Sequence, residues 1–436
     1  MRIAVIGSGI SGLASAWLLS PQHEVVLFES NDYLGGHTHT HDIEIDHRHL
    51  AVDTGFIVHN AQHYPLLTRM FDELGVVTQP TTMSFSAHSD ASGVEYNATS
   101  LDGLFCQRRN LVSPRFWGMV RDLLRFYRIA PRLLQGDGPG PTLGEYLARH
   151  GFGDAFCDEH LLPMASALWS SPTRQVLEFP ARYLVQFMAN HQMLQIRGRP
   201  QWRVVSGGSN SYVRALQRHW RAEVRLRTPV QRLRRDAEGV EVVTESLTER
   251  FDHAVLACHS DQALQLLVDA DMRETEILGA MGYQDNETVL HTDARLLPGN
   301  RKAWAAWNAH VPRDPAYACT VSYCMNLLQG LETTTPLVVT LNRTDAINPD
   351  SILRRLHYRH PVYTTASVAA QARRVEIQGH RRTWFAGAYW GWGFHEDGIR
   401  SAVDVARALG VAWGESRQVV PHPWPRIGTQ PHGLQP

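Results

Sequence analysis

Apolar runs and glycine-rich turns alternate from the first residues of the chain. Residues 2–6 (Arg-Ile-Ala-Val-Ile) form a short apolar run, typical of a strand covered on both faces in a parallel sheet. A glycine-rich turn over 7–12 and a helical pattern of small and apolar residues over 13–19 follow. Residues 25–28 form a second apolar run, which ends in Glu29. The order strand, turn, helix, strand predicts a βαβ unit.

Beyond this unit, helical and strand patterns mix along the whole chain, and residues 60–200 are mostly helical in pattern. The further predicted elements are a loop over 135–141, a helix that opens with the capping box Thr142–Glu145, a helix over 212–220, antiparallel strands over 224–233 and 240–244 around a turn at 236–239, a buried strand over 251–258, an apolar strand over 383–388 and a helix over 399–409. This mixture predicts an α/β fold.

The first turn carries the clearest chemistry. In Gly7-Ser8-Gly9-Ile10-Ser11-Gly12, Gly7 allows a tight turn, Gly9 lets a pyrophosphate approach the backbone, and Gly12 lets the helix pack on the strand. The following helix begins with free N–H groups and a favourable dipole for phosphate. Glu29 is spaced to accept hydrogen bonds from a ribose. The alternative, a glycine turn in an ordinary βα unit, does not require an acid at the end of the second strand. The segment is therefore predicted to bind a dinucleotide.

Composition excludes several classes of protein. The chain has 436 residues, of which 43% are hydrophobic and 19% charged, so it can bury a large core and is not intrinsically disordered. Its 42 basic and 43 acidic residues give a net charge of −1, which provides no attraction for nucleic acid. The five cysteines form no CxxC pair, which argues against a disulfide framework and against a structural zinc site. No apolar stretch reaches the roughly 18 residues of a membrane span, and no signal-peptide pattern opens the chain. We expect a cytoplasmic protein.

Three further segments carry a resemblance to a known family. Gly35-Gly36-His37-Thr38, Asp53-Thr54-Gly55-Phe56-Ile57 and the C-terminal block 387–398, with the glycine turn and Glu29, resemble the flavin amine oxidase superfamily. The resemblance implies FAD and a final helix whose N-terminus points at the flavin pyrimidine, where it stabilises the reduced ring. Two positions depart from the superfamily pattern: His37 replaces an arginine, and Tyr389 replaces an acid.

The candidate FAD-binding residues combine the glycine turn with positions carried over from the superfamily. They are Gly7, Gly9, Ser11, Gly12, Glu29, Ser30, Gly35, Gly36, His37, Thr38, Gly55, Phe56, Ile57, Val230, Ala257, Gly387, Ala388, His395, Glu396, Asp397 and Gly398. In the superfamily, the positions matching Val230 and Ala257 lie at the adenine. Either Glu396 or Asp397 is expected to cap the last helix, and for Asp397 a capping role is favoured over direct chemistry.

The resemblance also implies a discontinuous architecture. A Rossmann-type FAD-binding domain is predicted in three segments, 1–59, 201–270 and 376–415. A substrate domain of antiparallel sheet and helices is inserted between them as residues 60–200 and 271–375. Residues 416–436 are predicted to be a C-terminal tail.

A narrower resemblance rests on the segments 35–40, 325–330 (Met-Asn-Leu-Leu-Gln-Gly) and 391–398 (Gly-Trp-Gly-Phe-His-Glu-Asp-Gly). These are similar to bacterial predicted NAD/FAD-binding flavoproteins that resemble the N-terminal flavin region of some plant cyclopropane fatty acid synthases. The similarity implies lipid chemistry, either as a desaturase or dehydrogenase of acyl chains or in association with a fatty-acid methyltransferase.

Histidines supply the candidate catalytic groups. His395 and His37 are candidates for proton transfer at the flavin, and the alternative for His395 is a hydrogen-bonded residue that holds the turn before the last helix. The run His37, His39, His41, His47 and His49 could form a metal cluster. Its period of two favours a solvated hairpin instead, and no metal is predicted.

The substrate class is predicted from one absence and two patterns. Superfamily amine oxidases usually carry a lysine near flavin N5, and the corresponding strand, 287–293, has none; Lys302, the only lysine, lies in a polar turn. Trp390, Trp392 and Phe394 are predicted to form an apolar wall of the substrate cavity.

A basic stretch, 108–134, has an amphipathic pattern with Met119, Val120, Leu123, Leu124 and Tyr127 on its apolar face. It reads either as a solvated surface helix or as a face for anionic lipid headgroups.

We expect an FAD oxidoreductase that takes hydride from an apolar, lipid-like substrate. The alternatives are a flavin amine oxidase and a flavin-binding partner of a fatty-acid methyltransferase without turnover of its own. A nicotinamide dehydrogenase would lack the C-terminal flavin block.

Overall fold

A computed structural model describes residues 1–135, 140–169, 173–196, 198–314 and 318–414. The predicted tail 416–436 and most of the loop at 135–141 lie outside the described residues. In chain order the strands are β1 Arg2–Ile6, β2 Glu24–Phe28, β3 Thr40–Ile45, β4 Arg48–Asp53, β5 Val58–His59, β6 Thr78–Thr81, β7 Phe85–Ser89, β8 Glu95–Asn97, β9 Trp202–Val205, β10 Glu223–Arg225, β11 Val230–Arg235, β12 Val240–Thr244, β13 Thr248–Phe251, β14 His253–Leu256, β15 Gly282–His291, β16 Trp307–Val311, β17 Thr320–Cys324, β18 Val338–Leu341, β19 Ile352–Val362 and β20 Thr383–Phe385.

The helices, in the same order, are α1 Ile10–Leu19, α2 Pro65–Glu73, α3 Leu101–Leu104, α4 Pro114–Ile129, α5 Leu143–His150, α6 Asp154–Phe156, α7 Leu162–Trp169, α8 Thr173–Leu177, α9 Ala181–Asn190, α10 Asn210–His219, α11 Ser260–Leu266, α12 Met272–Gly279, α13 Met325–Gln329, α14 Thr365–Ala372 and α15 His395–Ala408. The predicted capping box at the start of α5 is present, with both the Thr142 and the Glu145 hydrogen bonds formed.

The first layer is a five-stranded sheet in the order β10-β2-β1-β14-β20, and every pair in it is parallel. Its strands come from three separated parts of the chain, and α1 and α15 pack side by side on it. This is the Rossmann-type α/β fold that the sequence predicts. The chain leaves for other sheets after β2, after β10 and after β14, and it returns to the first sheet each time.

The strand prediction over 224–233 is wrong in part. Its first residues form β10, which pairs parallel to β2 at the sheet edge, and only β11 pairs antiparallel with β12. The predicted buried strand over 251–258 is divided at Asp252 into β13 and β14, which belong to different sheets. In both cases the chain bends within the predicted strand, and the residues on the two sides of the bend join different sheets.

The second layer is a seven-stranded sheet in the order β19-β15-β18-β17-β16-β7-β8. Helices from residues 101–190 cover it around a core rich in aromatic residues, including Phe126, Phe156 and Phe187. The long strands β15 and β19 pair over almost their full length and carry this sheet toward the first layer.

The apolar face predicted for α4 is confirmed except at Leu124. Met119 is buried, and Val120, Leu123 and Tyr127 are partly buried against the helical core of the second layer. Leu124 is 46% exposed. On the buried side, the Asp122 carboxylate accepts a hydrogen bond from the Gly153 N–H at the start of α6.

Candidate functional site

The glycine turn between β1 and α1 is shaped by two different constraints. A Cβ at Gly12 would overlap the Gly7 carbonyl oxygen, so glycine is required there for the helix to pack on the turn. A Cβ at Gly9 would meet no atom within 4 Å. The protein itself has no need for glycine at position 9, and the open space in front of it lies at the N-terminus of α1.

Glu29, at the end of β2, is fixed beside this turn. Its carboxylate accepts hydrogen bonds from the Ser8 N–H (2.9 Å) and hydroxyl (2.5 Å), and from the Asn31 N–H (2.8 Å) and Ser30 hydroxyl (3.1 Å). The carboxylate is 6% exposed and in a single orientation. It is thus positioned next to the mouth of the turn, as a ribose-binding acid would be.

Gly35 and Gly36 bring the next segment against the same turn. Gly35 donates its N–H to the Ser8 carbonyl (3.1 Å), with a φ of +129° that favours glycine. A Cβ at Gly36 would lie 3.1 Å from Gly9 Cα. Gly55 then packs on the carbonyl of His37, and the Phe56 N–H donates to that carbonyl (2.8 Å). The predicted segments 35–38 and 55–57 therefore meet at the first turn.

The N-terminus of α15 comes to this place from the other end of the chain. A Cβ at Gly398 would lie 2.6 Å from Ile10 Cγ2 and 2.9 Å from Ser11 Oγ, so the first turns of α1 and α15 are in direct contact. The strand β20 leads into this region through Gly387 and Ala388, where the Gly387 N–H donates to Ser401 Oγ (2.9 Å). Two helix dipoles thus direct their positive ends to one place, which is suited to negative charge.

His395 holds this junction together. Its Nε2 lies 3.0 Å from Thr38 Oγ1 and 3.1 Å from the Tyr212 hydroxyl, and its ring stacks on Phe56 at 3.7 Å. Thr38 Oγ1 and the Tyr212 hydroxyl also contact each other. Burial lowers the pKa of His395 well below its usual value, so the ring is neutral. This is the hydrogen-bonded arrangement that the alternative reading of His395 expects.

His37 lies in a cluster that the sequence did not reveal. Its ring is 5.0 Å from Tyr358, 5.2 Å from His360 and 6.0 Å from His259. Burial lowers the pKa to about 4 for His37 and to about 3 for His259 and His360. His37 Nε2 is buried and has no hydrogen-bond partner among the described residues. The sequence does not indicate this cluster, because His259 and His360 reach His37 only through the packing of the segments after β14 and on β19.

The two acids at the start of α15 act as caps. Asp397 accepts hydrogen bonds from the N–H groups of Trp392 (3.0 Å) and Phe394 (3.1 Å), which fixes the turn before its own helix. Glu396 accepts from the N–H groups of Leu66 and Leu67 and thereby caps α2. Burial raises the pKa of Asp397 to about 6 and that of Glu396 to about 7.

Asp53 is the centre of a buried polar node. Its carboxylate accepts hydrogen bonds from Thr40 Oγ1 (2.5 Å), from the N–H and hydroxyl of Ser209, and from Gln329 Nε2 (3.0 Å). The Asp53 N–H donates to Gln329 Oε1 (2.9 Å). Burial raises the pKa of Asp53 to about 6. Through Gln329, the Asn-Leu-Leu-Gln-Gly motif at 326–330 thus connects the seven-stranded sheet to the segment 53–57.

The prediction of an apolar cavity wall is contradicted at Trp390, which is 2% exposed, donates Nε1–H to the Phe385 carbonyl and packs in the core of the first layer. For Trp392 and Phe394 it stays a prediction. Trp392 and Phe394 face the helical core of the second layer, where Phe394 stacks with Phe187 at 5.4 Å and Trp392 lies 6.3 Å from the same ring. We call Phe187, Trp392 and Phe394 the aromatic wall.

Two histidines that the sequence did not single out stand at this wall. His191 lies 4.0 Å from Phe187 and 5.9 Å from Phe394, and His63 lies 4.8 Å from His191. Burial lowers the pKa to about 3 for His191 and about 4 for His63, so both are neutral at pH 7. Neither nitrogen of His63 has a partner in the described part of the chain. No sequence signal links residue 63 to residue 191.

The other residues named in the sequence analysis lie beside the glycine turn at 7–12 or away from it. Ala257 packs against Gly7, and Val230 begins β11. Ile57 is buried in the core of the second layer. Lys302 is at the surface, where its Nζ pairs with Asp102 (3.0 Å), and His291 on β15 is buried and bonded to Thr340 Oγ1 (2.8 Å).

A family model of flavin-containing amine oxidoreductases matches residues 10–290. Many solved structures share the fold, including the following three. Cyclohexylamine oxidase from Brevibacterium oxydans IH-35A is 16% identical with a TM-score of 0.67, covering 94% of this chain and 99% of that one. The CLA-producing fatty acid isomerase from P. acnes is 15% identical with a TM-score of 0.64, covering 94% and 98%. Putrescine oxidase bound to putrescine is 14% identical with a TM-score of 0.64, covering 94% and 99%. None of the curated protein sequences compared matches this chain.

Proposed function

The chain belongs to the family of flavin-containing amine oxidoreductases, and we propose that within this family it removes hydride from an apolar, fatty-acyl substrate. The protein is an FAD-dependent enzyme with a Rossmann-type cofactor domain and an inserted substrate domain.

The residues at the junction of α1 and α15 fit FAD. The space in front of Gly9, which no protein atom occupies, can accept a pyrophosphate, and Glu29 beside it can bind a ribose. The buried His37 Nε2 has no hydrogen-bond partner among the described residues. We propose that the N–H groups at the start of α15, around Gly398, bind the flavin pyrimidine. When bound, FAD supplies the two-electron acceptor that protein side chains lack.

One observation carries the substrate class: the groups at the aromatic wall are apolar or neutral. Phe187, Trp392 and Phe394 present ring surfaces, and His63 and His191 are uncharged at pH 7. The strand region 287–293 carries no lysine, and the only lysine, Lys302, is bound to Asp102 at the surface. A wall of this kind favours a hydrocarbon chain.

Forming a carbon–carbon double bond in an acyl chain removes one hydride and one proton. The hydride would pass with its electron pair to the bound cofactor, and the proton needs an acceptor near the aromatic wall. His63 is the acceptor that we propose, since it is neutral and its nitrogens have no partner in the described part of the chain. His37 directly follows Gly36, which lies against Gly9, and His395 is held by Thr38 and Tyr212.

The test is anaerobic reduction of the bound flavin in a stopped-flow instrument. Long-chain acyl lipids, including methyl-branched and cyclopropane chains, are expected to bleach the flavin, and matched primary amines are not. His63→Gln is expected to slow bleaching by about 100-fold, whereas His219→Gln on the exposed end of α10 leaves it unchanged. Bleaching by an amine with no response to any lipid would contradict the proposal.

That contrary outcome would identify a flavin amine oxidase. The aromatic wall favours this second candidate to a lesser degree, because the faces of aromatic rings also bind the ammonium group of an amine substrate. Association with a fatty-acid methyltransferase stays a prediction from the resemblance.

A further inference from the structure

The solvent face of α4 carries large apolar residues in line with arginines. Trp117, Arg121, Leu124 and Arg128 follow one another at spacings of four, three and four residues. At 3.6 residues per turn these positions lie within roughly 60° of arc on one side of the helix. Trp117 is 48% exposed and Leu124 is 46% exposed.

The segment before α4 extends this apolar surface. Leu111 is 47% exposed and Val112 is 83% exposed, at the end of a 3-10 turn over Arg108–Val112. The Trp117 Nε1–H donates to the Leu111 carbonyl (2.9 Å), which holds the two parts together. Single exposed apolar residues are ordinary, but four in one place mark an interaction surface. We call Leu111, Val112, Trp117 and Leu124, with Arg121 and Arg128, the α4 face.

The charges around the α4 face are one-sided. Residues 101–135 contain seven arginines and two acids. Of the acids, Asp102 is paired with Arg108 and Lys302, and Asp122 is buried under the helix. Arg121 has 79% of its side chain exposed, and its nearest carboxylate, that of Asp122, is 3.7 Å away. The face therefore presents positive charge without exposed acids of its own.

These features point to one kind of partner. We propose that the α4 face docks the protein on the surface of a membrane that contains anionic lipids. The indole and aliphatic side chains enter the boundary between headgroups and acyl chains, and Arg121 and Arg128 pair with lipid phosphates. A second copy of the chain fits less well, because a symmetric contact would bring arginines against arginines.

The contact is peripheral. Among the described residues, no helix is both long enough and apolar enough to cross a membrane. The inference goes beyond the proposed substrate and does not depend on it, since vesicle binding is measured without turnover.

The experiment is co-sedimentation of the flavin-loaded protein with vesicles of phosphatidylcholine alone or with about 30% phosphatidylglycerol. We expect binding to the anionic vesicles only, weakened at high salt because the attraction is screened. Arg121→Glu/Arg128→Glu is expected to weaken binding by about 30-fold or more, and Val112→Ser/Trp117→Ser by about 10-fold or more. The control Arg218→Glu/Arg232→Glu makes the same charge change at exposed sites on other elements and is expected to bind as the wild type does.

Retained flavin absorbance shows that each variant is folded, so a loss of binding is attributable to the surface. Equal binding to both vesicle types, or no binding to either, would overturn the proposal. So would a dimer, measured by light scattering, that the α4-face variants dissociate, because the face would then be an interface between copies of the chain.

Discussion

At the scale of single residues, Gly9 and Gly12 look alike in the sequence and differ in what they serve. Gly12 is required by the protein, because any Cβ there would overlap the Gly7 carbonyl. Gly9 has a φ of −62°, which every residue adopts, and open space in front of it. Only a ligand gives a reason for glycine at that position.

This difference predicts opposite outcomes for two substitutions. Gly9→Val is expected to weaken FAD binding by about 100-fold or more, since its methyl groups occupy the ligand space. The apoprotein should lose no more than about 1 kcal/mol, the effect of a poorer residue before α1. Gly12→Ala is expected to lower the unfolding free energy by several kcal/mol. Fluorescence titration with FAD and urea unfolding measure the two quantities. Equal FAD affinity of wild type and Gly9→Val would contradict the assignment of the turn.

The roles of residues could be predicted where the signal is local. The turn at 7–12, the acid Glu29 and the capping box at Thr142 are each read from a few consecutive residues. The cluster of His37 with His259 and His360 is not, because it forms only when β14 and β19 arrive at the same turn. His63 and His191 escaped prediction for the same reason.

At the scale of elements, the Asp53 node joins three parts of the chain that are far apart in sequence. It connects the end of β4, the start of α10 through Ser209, and the end of α13 through Gln329. Its hydrogen bonds with Ser209 and Gln329 are buried, and the one from Thr40 is partly buried. In the described part of the chain, no cation pairs with the Asp53 carboxylate. The node therefore holds the segment 53–57 against the seven-stranded sheet.

Removing one arm of the node is expected to destabilise the whole chain. Gln329→Ala deletes a donor to the buried carboxylate and the acceptor of the Asp53 N–H, so the unfolding free energy should fall by about 2–4 kcal/mol. Leu327→Ala is the matched control on the same helix, because Leu327 is 48% exposed, and it should cost less than about 1 kcal/mol. Both are measured by urea unfolding. Equal effects of the two substitutions would show that the node does not contribute as argued.

The error at Leu124 has a physical origin at this scale. The apolar pattern of α4 is wider than the face that packs on the core, so Leu124 and Trp117 are left outside. Asp122, a polar residue, is buried as the acceptor for the Gly153 N–H. In the same way, the alternation over 224–233 did not show that its first residues join the parallel sheet.

At the scale of the whole molecule, many histidines are buried in their neutral form. Burial is the main cause that lowers their pKa to about 3 or about 4. The histidines concerned are His37, His41, His59, His63, His160, His191, His259, His291 and His360. Burial has the opposite effect on several carboxyl groups; among them, it raises the pKa of Asp53 and Asp397 to about 6 and that of Glu396 to about 7. For both sets, the folded and unfolded chains differ in protonation over roughly the same pH range, about 4 to 6.5.

Their effects on stability have opposite signs, and the histidines outnumber the carboxyl groups. Between pH 6.5 and about 4, the unfolded chain binds protons at histidines that stay neutral in the folded chain, so the unfolding free energy falls as the pH falls. At the three carboxyl groups, the folded chain keeps protons that the unfolded chain has released, so their contribution rises as the pH falls. Each proton of difference changes the unfolding free energy by about 1.4 kcal/mol per pH unit. We therefore expect a loss of roughly 3 kcal/mol or more between pH 6.5 and 5, measured by urea unfolding at half-unit intervals. His291→Gln should make this dependence shallower, and His47→Gln on the exposed hairpin should not. A constant or rising stability over that range would mean that the carboxyl groups dominate.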